Sequence, residues 1–575
     1  MEGKHTRKTK QSSRQQITFM VIVIVAVTGF PYLQKGLCGY FPDLMYHMLR
    51  IEAVKDALQE GIFPVRIYDN FFNGYGYGSP LFYPDIFLLL PALLRIASIP
   101  PLAVWKIFAL CLTAVASLTS YFSIHYICRD REFSIAATFM LMLSQFYLAD
   151  LCHRVGLSEY LAFIFIPVLI AGIYDFFVRE GRKTWLMGIA FGGLLLSHTI
   201  MTVIGVLLTA LIFIRMIFVR RENCFLFDKK RMQRLIVTAI GVFLCTAYFT
   251  FPMLEQMASG TFQYMTPWAK VGDYVQPLST FFRVTGYFSH IAYVGIGIPV
   301  LILFVVCLFL KRPENKWAFF FLIGGCGMFL LTTSLFPWAK LNDTILNMIQ
   351  FPYRFYPYAL LFLIVGITMI LVKNFSPGVK GRTTVLLIII SSSVLCGIVQ
   401  NVTIKSSEES KQIDAAYLEG NTGYVGAGEW LPQGVDADVA GLTATVTIKA
   451  DGEITDQELR HEGRYYYFTT EKDADSYILP LMYYKGYEAR ICCEDGSSVL
   501  LMLDQSENAL VRVSNMEEKE GEIRIVYAGT IVQKISCFIS LAAVLFILLY
   551  MVRKHKKADG NEENHAKENE SNRRK

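Results

Sequence analysis

The sequence is short of charge. Only 18% of its 575 residues are Asp, Glu, Lys or Arg, against 54% hydrophobic and 14% aromatic. A soluble chain would carry about a quarter charged residues and divide into several domains. The net charge of +6 is too small to mark a nucleic-acid surface. Metal-ligand spacings are lacking too. The 12 cysteines include no CxxC and no Cys/His set, which argues against zinc, and most, such as Cys111, Cys245, Cys307 and Cys326, stand in apolar runs as small hydrophobes. Adjacent Cys492 and Cys493 fall in an expected strand, where neighbours point to opposite faces, one buried and one exposed. No nearly identical internal repeat is visible. No small-x-small cleavage site follows the first apolar run, so that run reads as an uncleaved span.

What is present is hydrophobic length. Mean hydropathy is +0.40, and apolar runs long enough to cross a bilayer recur to residue 401, with one more at Ile531–Met551. Lys and Arg cluster at Arg179–Lys183, Arg215–Arg234, Lys311–Lys316, Lys373–Arg382 and after Arg553. Taken as cytoplasmic turns, they put both termini inside. The connectors at about 34–80, 254–290, 336–357 and 402–530 then fall outside. Residues 184–218 must form a hairpin with its tip at Ser197-His198-Thr199. The run Leu81–Ile99 is broken by Pro84, Pro91 and Arg95, and reads as re-entrant or interfacial. Hydropathy counting gives about twelve spans.

The expected organisation is a basic cytoplasmic N-terminus (1–16), a transmembrane domain (17–401) with a first outer loop (34–80), an extracellular β-rich domain (402–530), a final transmembrane helix (531–551) and a disordered cytoplasmic tail (552–575). Strand-like stretches at Ala444–Ile448, Tyr465–Thr469, Val499–Leu503 and Glu522–Tyr527, with Asp-Gly turns at 451–452 and 495–496, carry the β reading.

Under this topology the polar motifs gather on the outer side. In FPDLMYHMLRIE, Phe41–Glu52, helical spacing puts Asp43, His47 and Arg50 on one face, while Leu44, Met48, Ile51 and Leu58 form an apolar face suited to the bilayer surface. Arg66 and NGYGYGSP (Asn73–Pro80) follow, the latter a turn, a sugar-stacking surface or a place of close backbone approach. Arg154 and Glu159 open a later span, His198 tops the hairpin, Arg354 lies in QFPYRFYP and Glu429 in GAGEWLP. Each has a plain structural reading: a solvated acid, an interfacial ion pair, a helix-end histidine, a snorkelling arginine. One acid among several arginines at a membrane face also suits another task. The acid would be a general base on an acceptor hydroxyl, and the guanidinium forks would hold a lipid phosphate. No glycine loop opens onto the cytoplasm to take a nucleotide-sugar.

PDLMYHMLRI, GIFPVRIYDNFFNGYGYGSPLFYP, HRVGLSEYLAF, LLLSHTIM, IQFPYRF and GAGEWLP together resemble bacterial membrane proteins labelled 6-pyruvoyl-tetrahydropterin synthase-related. LPLMYYKGYEARICCEDG with the final span is similar to the family implicated in lipoteichoic-acid glycosylation. Both look like the GT-C glycosyltransferase class. Nothing in the residues supports pterin chemistry. The resemblance implies a polytopic α-helical GT-C-like fold in a bacterial cell membrane, its active site facing outside. It further implies transfer of sugar from a polyprenyl-phosphate donor to an envelope glycan or lipid, with Asp43 as catalytic acid and Arg154 and Arg354 as donor-phosphate contacts. His47, Arg50, Arg66, Glu159 and His198 are carried as binding-site candidates. In some relatives the acid pairs with a divalent metal; no second carboxylate stands at a fixed spacing here, and a divalent metal stays open. The rival readings are a transporter or flippase of lipid-linked saccharide and a non-catalytic envelope-assembly protein.

Overall fold

The computed structural model of the chain describes residues 2–36, 41–219, 228–265, 269–283, 285, 287–288, 292–311, 316–407, 413–422, 428–435, 447–470, 474–492, 497–515 and 520–573. Among these, seven helices are long and apolar enough to cross a membrane, and nine spans result if two bent helix pairs each count as one. The pairs bend by 45° between Met142 and Gln145 and by 69° between Cys245 and Ala247. Four apolar helices are shorter, including Ile86–Ile96, where prolines interrupt the run. Trp185–Leu195 and Thr199–Val219 form the expected hairpin around residues 196–198.

Leu157–Val178 lies at the centre of the bundle. Its 22 residues reach about 33 Å at 1.5 Å per residue, matching a hydrocarbon core of about 30 Å. Polar residues mark its two ends, Glu159 and Asp175, both buried. Around Asp175 the basic turns meet. Arg231 donates to the carbonyls of Phe176 and Arg179, Tyr126 to Asp175 at 2.6 Å, and Arg179 packs on Tyr126. At this end too, Arg382 forks onto Asp130 with both bonds at 2.9 Å and reaches Glu132, and Arg131 donates to Ser13. The Lys/Arg-rich turns and the N-terminal helix Glu2–Gly29 therefore share one end of the bundle.

The helix Phe41–Gln59 departs from expectation. Leu44, Met48, Ile51 and Val54 are buried, but so are His47 and Arg50 on the other side. It is enclosed by protein on both faces instead of lying on the bilayer surface, because its polar residues have partners from the loop that follows. The final helix runs from Ile531 to Arg573, through the tail expected to be unstructured. Lys and Glu, both good helix formers, are frequent there.

The β-rich domain is a nine-stranded antiparallel sheet. A hairpin of β1 (Tyr287–Phe288) and β2 (Ala292–Tyr293) precedes it. Its strands are β3 (Thr447–Ala450), β4 (Glu453–Glu458), β5 (Arg460–Glu462), β6 (Tyr465–Thr469), β7 (Ser476–Met482), β8 (Tyr487–Cys492), β9 (Ser498–Gln505), β10 (Leu510–Ser514) and β11 (Glu522–Tyr527), in the order β4-β3-β7-β10-β9-β8-β11-β6-β5. Period-two alternation turns Ala489 and Ile491, Val511 and Val513, Ile523 and Ile525 into one fully buried core. Cys492 is exposed at a strand end; Cys493, residues 444–446 and the Asp-Gly at 495–496 lie outside the described residues.

The NGYGYGSP loop is where this domain docks. Tyr75 accepts the Met482 N–H at 2.8 Å, and Asp69 accepts from Tyr466 at 2.9 Å. Gly78 is pressed so closely against Tyr484 that a Cβ there would sit 2.5 Å from the ring. Tyr75 and Tyr77 are buried, so these rings present no sugar-stacking face, while Gly78 serves close approach and Gly74 and Gly76 supply positive φ.

Candidate functional site

At the end of the bundle opposite the basic turns, Leu157–Val178 begins with Glu159, and the polar motifs converge around it. Arg154 Nη1 donates to Glu159. Arg354 Nε donates to the other carboxylate oxygen at 3.1 Å. His198 Nδ1 accepts the Met201 N–H, capping the second hairpin helix, and its Nε2 lies 3.6 Å from Glu159. Glu159 is thus a buried carboxylate shared by two arginines and a histidine.

The chain reaches this geometry through a kinked approach. A π-turn at Asp150–Arg154 closes with Val155 in the left-handed region, φ 63°. That conformation is unusual for a β-branched residue and holds strain of about 1–3 kcal/mol. Gly156 follows because a Cβ there would stand 2.9 Å from Asp150 Oδ1 and 3.3 Å from Arg154 Nη1. The turn aims Arg154 at three carboxylates. Besides Glu159 it meets Asp150 at 3.4 Å and, through Nε, Asp43 at 3.5 Å. It also packs over the Tyr353 ring.

Those three carboxylates differ in access. The side chains of Asp150 and Glu159 are 0% and 2% exposed, that of Asp43 39%. Asp43 sits in the first turn of its helix. Surrounding protein raises its carboxyl above the ordinary value by desolvation, against the pull of Arg154, with Glu159 and Glu429 adding repulsion.

Arg354 extends the network outward. Its Nη1 donates to the Ile349 carbonyl and to Gln350 Oε1, and Gln350 Nε2 donates to Glu429. Glu429 belongs to a segment clamped by backbone hydrogen bonds from Gln263 and Tyr264 to the carbonyls of Leu431 and Glu429.

His47 and Arg50 share the helix with Asp43 but turn to a neighbouring cluster. Arg50, 1% exposed, donates to Tyr68, His47 Nδ1, the Pro84 carbonyl and Asp85, while Tyr68 donates to Asp85 at 2.6 Å. His47 lies between the clusters; burial, then Arg50 and Arg154, hold it far below its ordinary value and neutral. Arg66 stands elsewhere, donating to the Tyr248 carbonyl at 2.7 Å and lying 3.6 Å from Cys537 on the last helix. It ties the first loop to the C-terminal helices.

The structure therefore brings together Asp43, Arg154, Glu159, His198 and Arg354, and sets Arg50 and Arg66 apart. Sequence reasoning missed Asp85, Asp150, Gln350 and Tyr353. An acid inside an apolar stretch, as in FYPDIF and LADLC, was the available signal for the first two. Among the described residues no three His, Cys, Asp or Glu side chains group as a metal site.

No family model and no curated protein matches the sequence. Solved structures with a similar arrangement include the arabinofuranosyltransferase AftD from Mycobacteria, at 14% identity and a TM-score of 0.42 over 69% of this chain and 27% of that one. Another is the archaeal oligosaccharyltransferase AglB from Archaeoglobus fulgidus, in complex with an inhibitory peptide and a dolichol-phosphate. It is 14% identical, with a TM-score of 0.38 over 70% of this chain and 57% of that one. The chain spans about a quarter of AftD's length and somewhat over half of AglB's.

Proposed function

We propose that this multi-pass membrane protein is a glycosyltransferase of the GT-C class. It moves a sugar from a polyprenyl-phosphate donor to an envelope glycan or lipid on the outer face of a bacterial cell membrane. The observation that carries the reading is the asymmetry around Arg154, where three carboxylates meet one guanidinium and only Asp43 stays open to a ligand. An open carboxylate with raised proton affinity is suited to general-base work.

In the reaction, Asp43 takes the proton of the acceptor hydroxyl as its oxygen bonds to the anomeric carbon. The bond from that carbon to the donor phosphate breaks, and the lipid phosphate leaves with the electron pair. Arg154, tied to Glu159 and Asp150, sets its fixed positive charge beside that phosphate. Arg354 and His198 fix the Glu159 carboxylate and so the position of Arg154. Gathering of the basic turns at the opposite end supports cytoplasmic termini and an outward-facing site.

The test compares wild type, a deletion and Asp43→Asn by mass spectrometry of the envelope glycans, with protein level checked in the membrane. Deletion and Asp43→Asn should lose the same sugar increment. Loss in the deletion alone would sink the catalytic role of Asp43.

A further inference from the structure

Beside the charged cluster stands an aromatic wall that the proposed chemistry does not use. Phe82 stacks on Trp430 with ring centroids 5.1 Å apart and planes 3° from parallel. Tyr264 leans on Trp430 at 5.1 Å. Phe82 is buried, whereas Trp430 and Tyr264 keep part of their surface open. Two features separate this wall from ordinary packing. Among the described residues the Tyr264 hydroxyl is shielded from solvent yet has no hydrogen-bond partner, and a buried unpaired hydroxyl costs stability unless something completes it. The residue preceding Trp430 is Glu429, joined through Gln350 to Arg354 and close enough for its charge to bear on Asp43.

An apolar face edged by a few convergent polar groups is the ordinary form of a small-molecule site. A flat aromatic face with a carboxylate, an amide and a lone phenol suits a pyranose or furanose ring. The sugar's C–H groups pack against the negative ring faces, and its hydroxyls donate to Glu429 and accept from Tyr264.

We infer that the part-open rings of Trp430 and Tyr264, backed by the buried Phe82, form with Glu429 the acceptor subsite, seating a neutral sugar ring with a hydroxyl turned toward Asp43. The inference rests on the glycosyltransferase reading but is tested separately from it.

The test uses the full chain in lipid nanodiscs and the methyl glycosides of glucose, galactose, mannose and N-acetylglucosamine. Binding is read by saturation-transfer NMR and titration. At least one glycoside binds wild type. Tyr264→Phe weakens it about five- to tenfold, the worth of one neutral hydrogen bond, without lowering thermal stability, since that hydroxyl supports nothing in the fold. Trp430→Ala weakens it about tenfold or more, while Trp430→Phe largely retains it, which separates loss of stacking from misfolding. Binding of none of the four glycosides, or equal binding by Tyr264→Phe and Trp430→Ala, overturns the subsite. Sugar transfer by Asp43→Asn in cells would instead remove the glycosyltransferase mechanism and leave the binding result standing.

Discussion

Glu159→Gln and Asp43→Asn remove the same charge from two carboxylates that share Arg154, yet they should behave oppositely. Glu159 is 2% exposed and neutralises Arg154 and Arg354 together, at 3.1 Å for the latter. Removing one partner of a buried ion pair leaves uncompensated charge and costs about 3–5 kcal/mol. Gln keeps one acceptor oxygen, and Asp150 retains its 3.4 Å contact to Arg154, so the lower half of that range applies. Asp43 is 39% exposed and holds Arg154 only at 3.5 Å; such a contact is worth about 0–1 kcal/mol. A loss of 1 kcal/mol moves Tm by about 2–4 °C in a domain of 150–250 residues, and by less in a longer chain. Scanning fluorimetry in one detergent should therefore show Glu159→Gln melting about 2–4 °C below wild type, since about 2.1 cal/mol/K of unfolding entropy per residue spreads the loss over the whole chain, with Asp43→Asn indistinguishable from it. Glycan transfer should nonetheless be lost in Asp43→Asn. Equal melting of the two variants would refute the division into a structural and a reactive carboxylate.

Other perturbations follow from neighbouring contacts. Arg50→Met strips Asp85 and Tyr68 of a buried partner and should cost about 3–5 kcal/mol, with Arg50→Met/Asp85→Leu recovering most of it; folded yield and Tm of the single and double variants check this. Gly78→Ala drives a methyl into Tyr484 and costs about 1–3 kcal/mol of overpacking, which limited proteolysis should report as faster cleavage in the β-rich domain. The raised Asp43 carboxyl binds its proton more tightly folded than unfolded. Its contribution to stability is therefore present at low pH and declines as pH rises through the folded value. Over that same rise the base forms, so kcat/KM of the wild type should climb along an acidic limb lying above the ordinary Asp range. His47, held low, has the reverse dependence: the unfolded chain takes the proton first, so stability falls as pH drops below about 6.5, and His47→Gln should flatten that fall in a Tm-against-pH series.

Hydropathy by itself determined that the chain spans a membrane, because bilayer thickness demands apolar runs of fixed length. Period-two alternation determined a β-rich domain before the last helix, since side-chain direction in a strand is local. Lys and Arg alone determined which turns share an end, and the joined turns at Asp130, Arg179, Arg231 and Arg382 follow that partition. Which charges meet was decided only by tertiary structure. Arg354 finds Glu159 across 195 residues of chain, and no local spacing encodes that pairing. Helical spacing put Asp43, His47 and Arg50 on one face, but a face does not specify its partners. Packing of the segment that follows that helix gave Arg50 to Asp85, and the π-turn at Asp150–Arg154 gave Arg154 to Asp43. Burial then divided chemically identical carboxylates, closing Glu159 and leaving Asp43 open, because desolvation and access depend on the surrounding atoms and not on the residue's name.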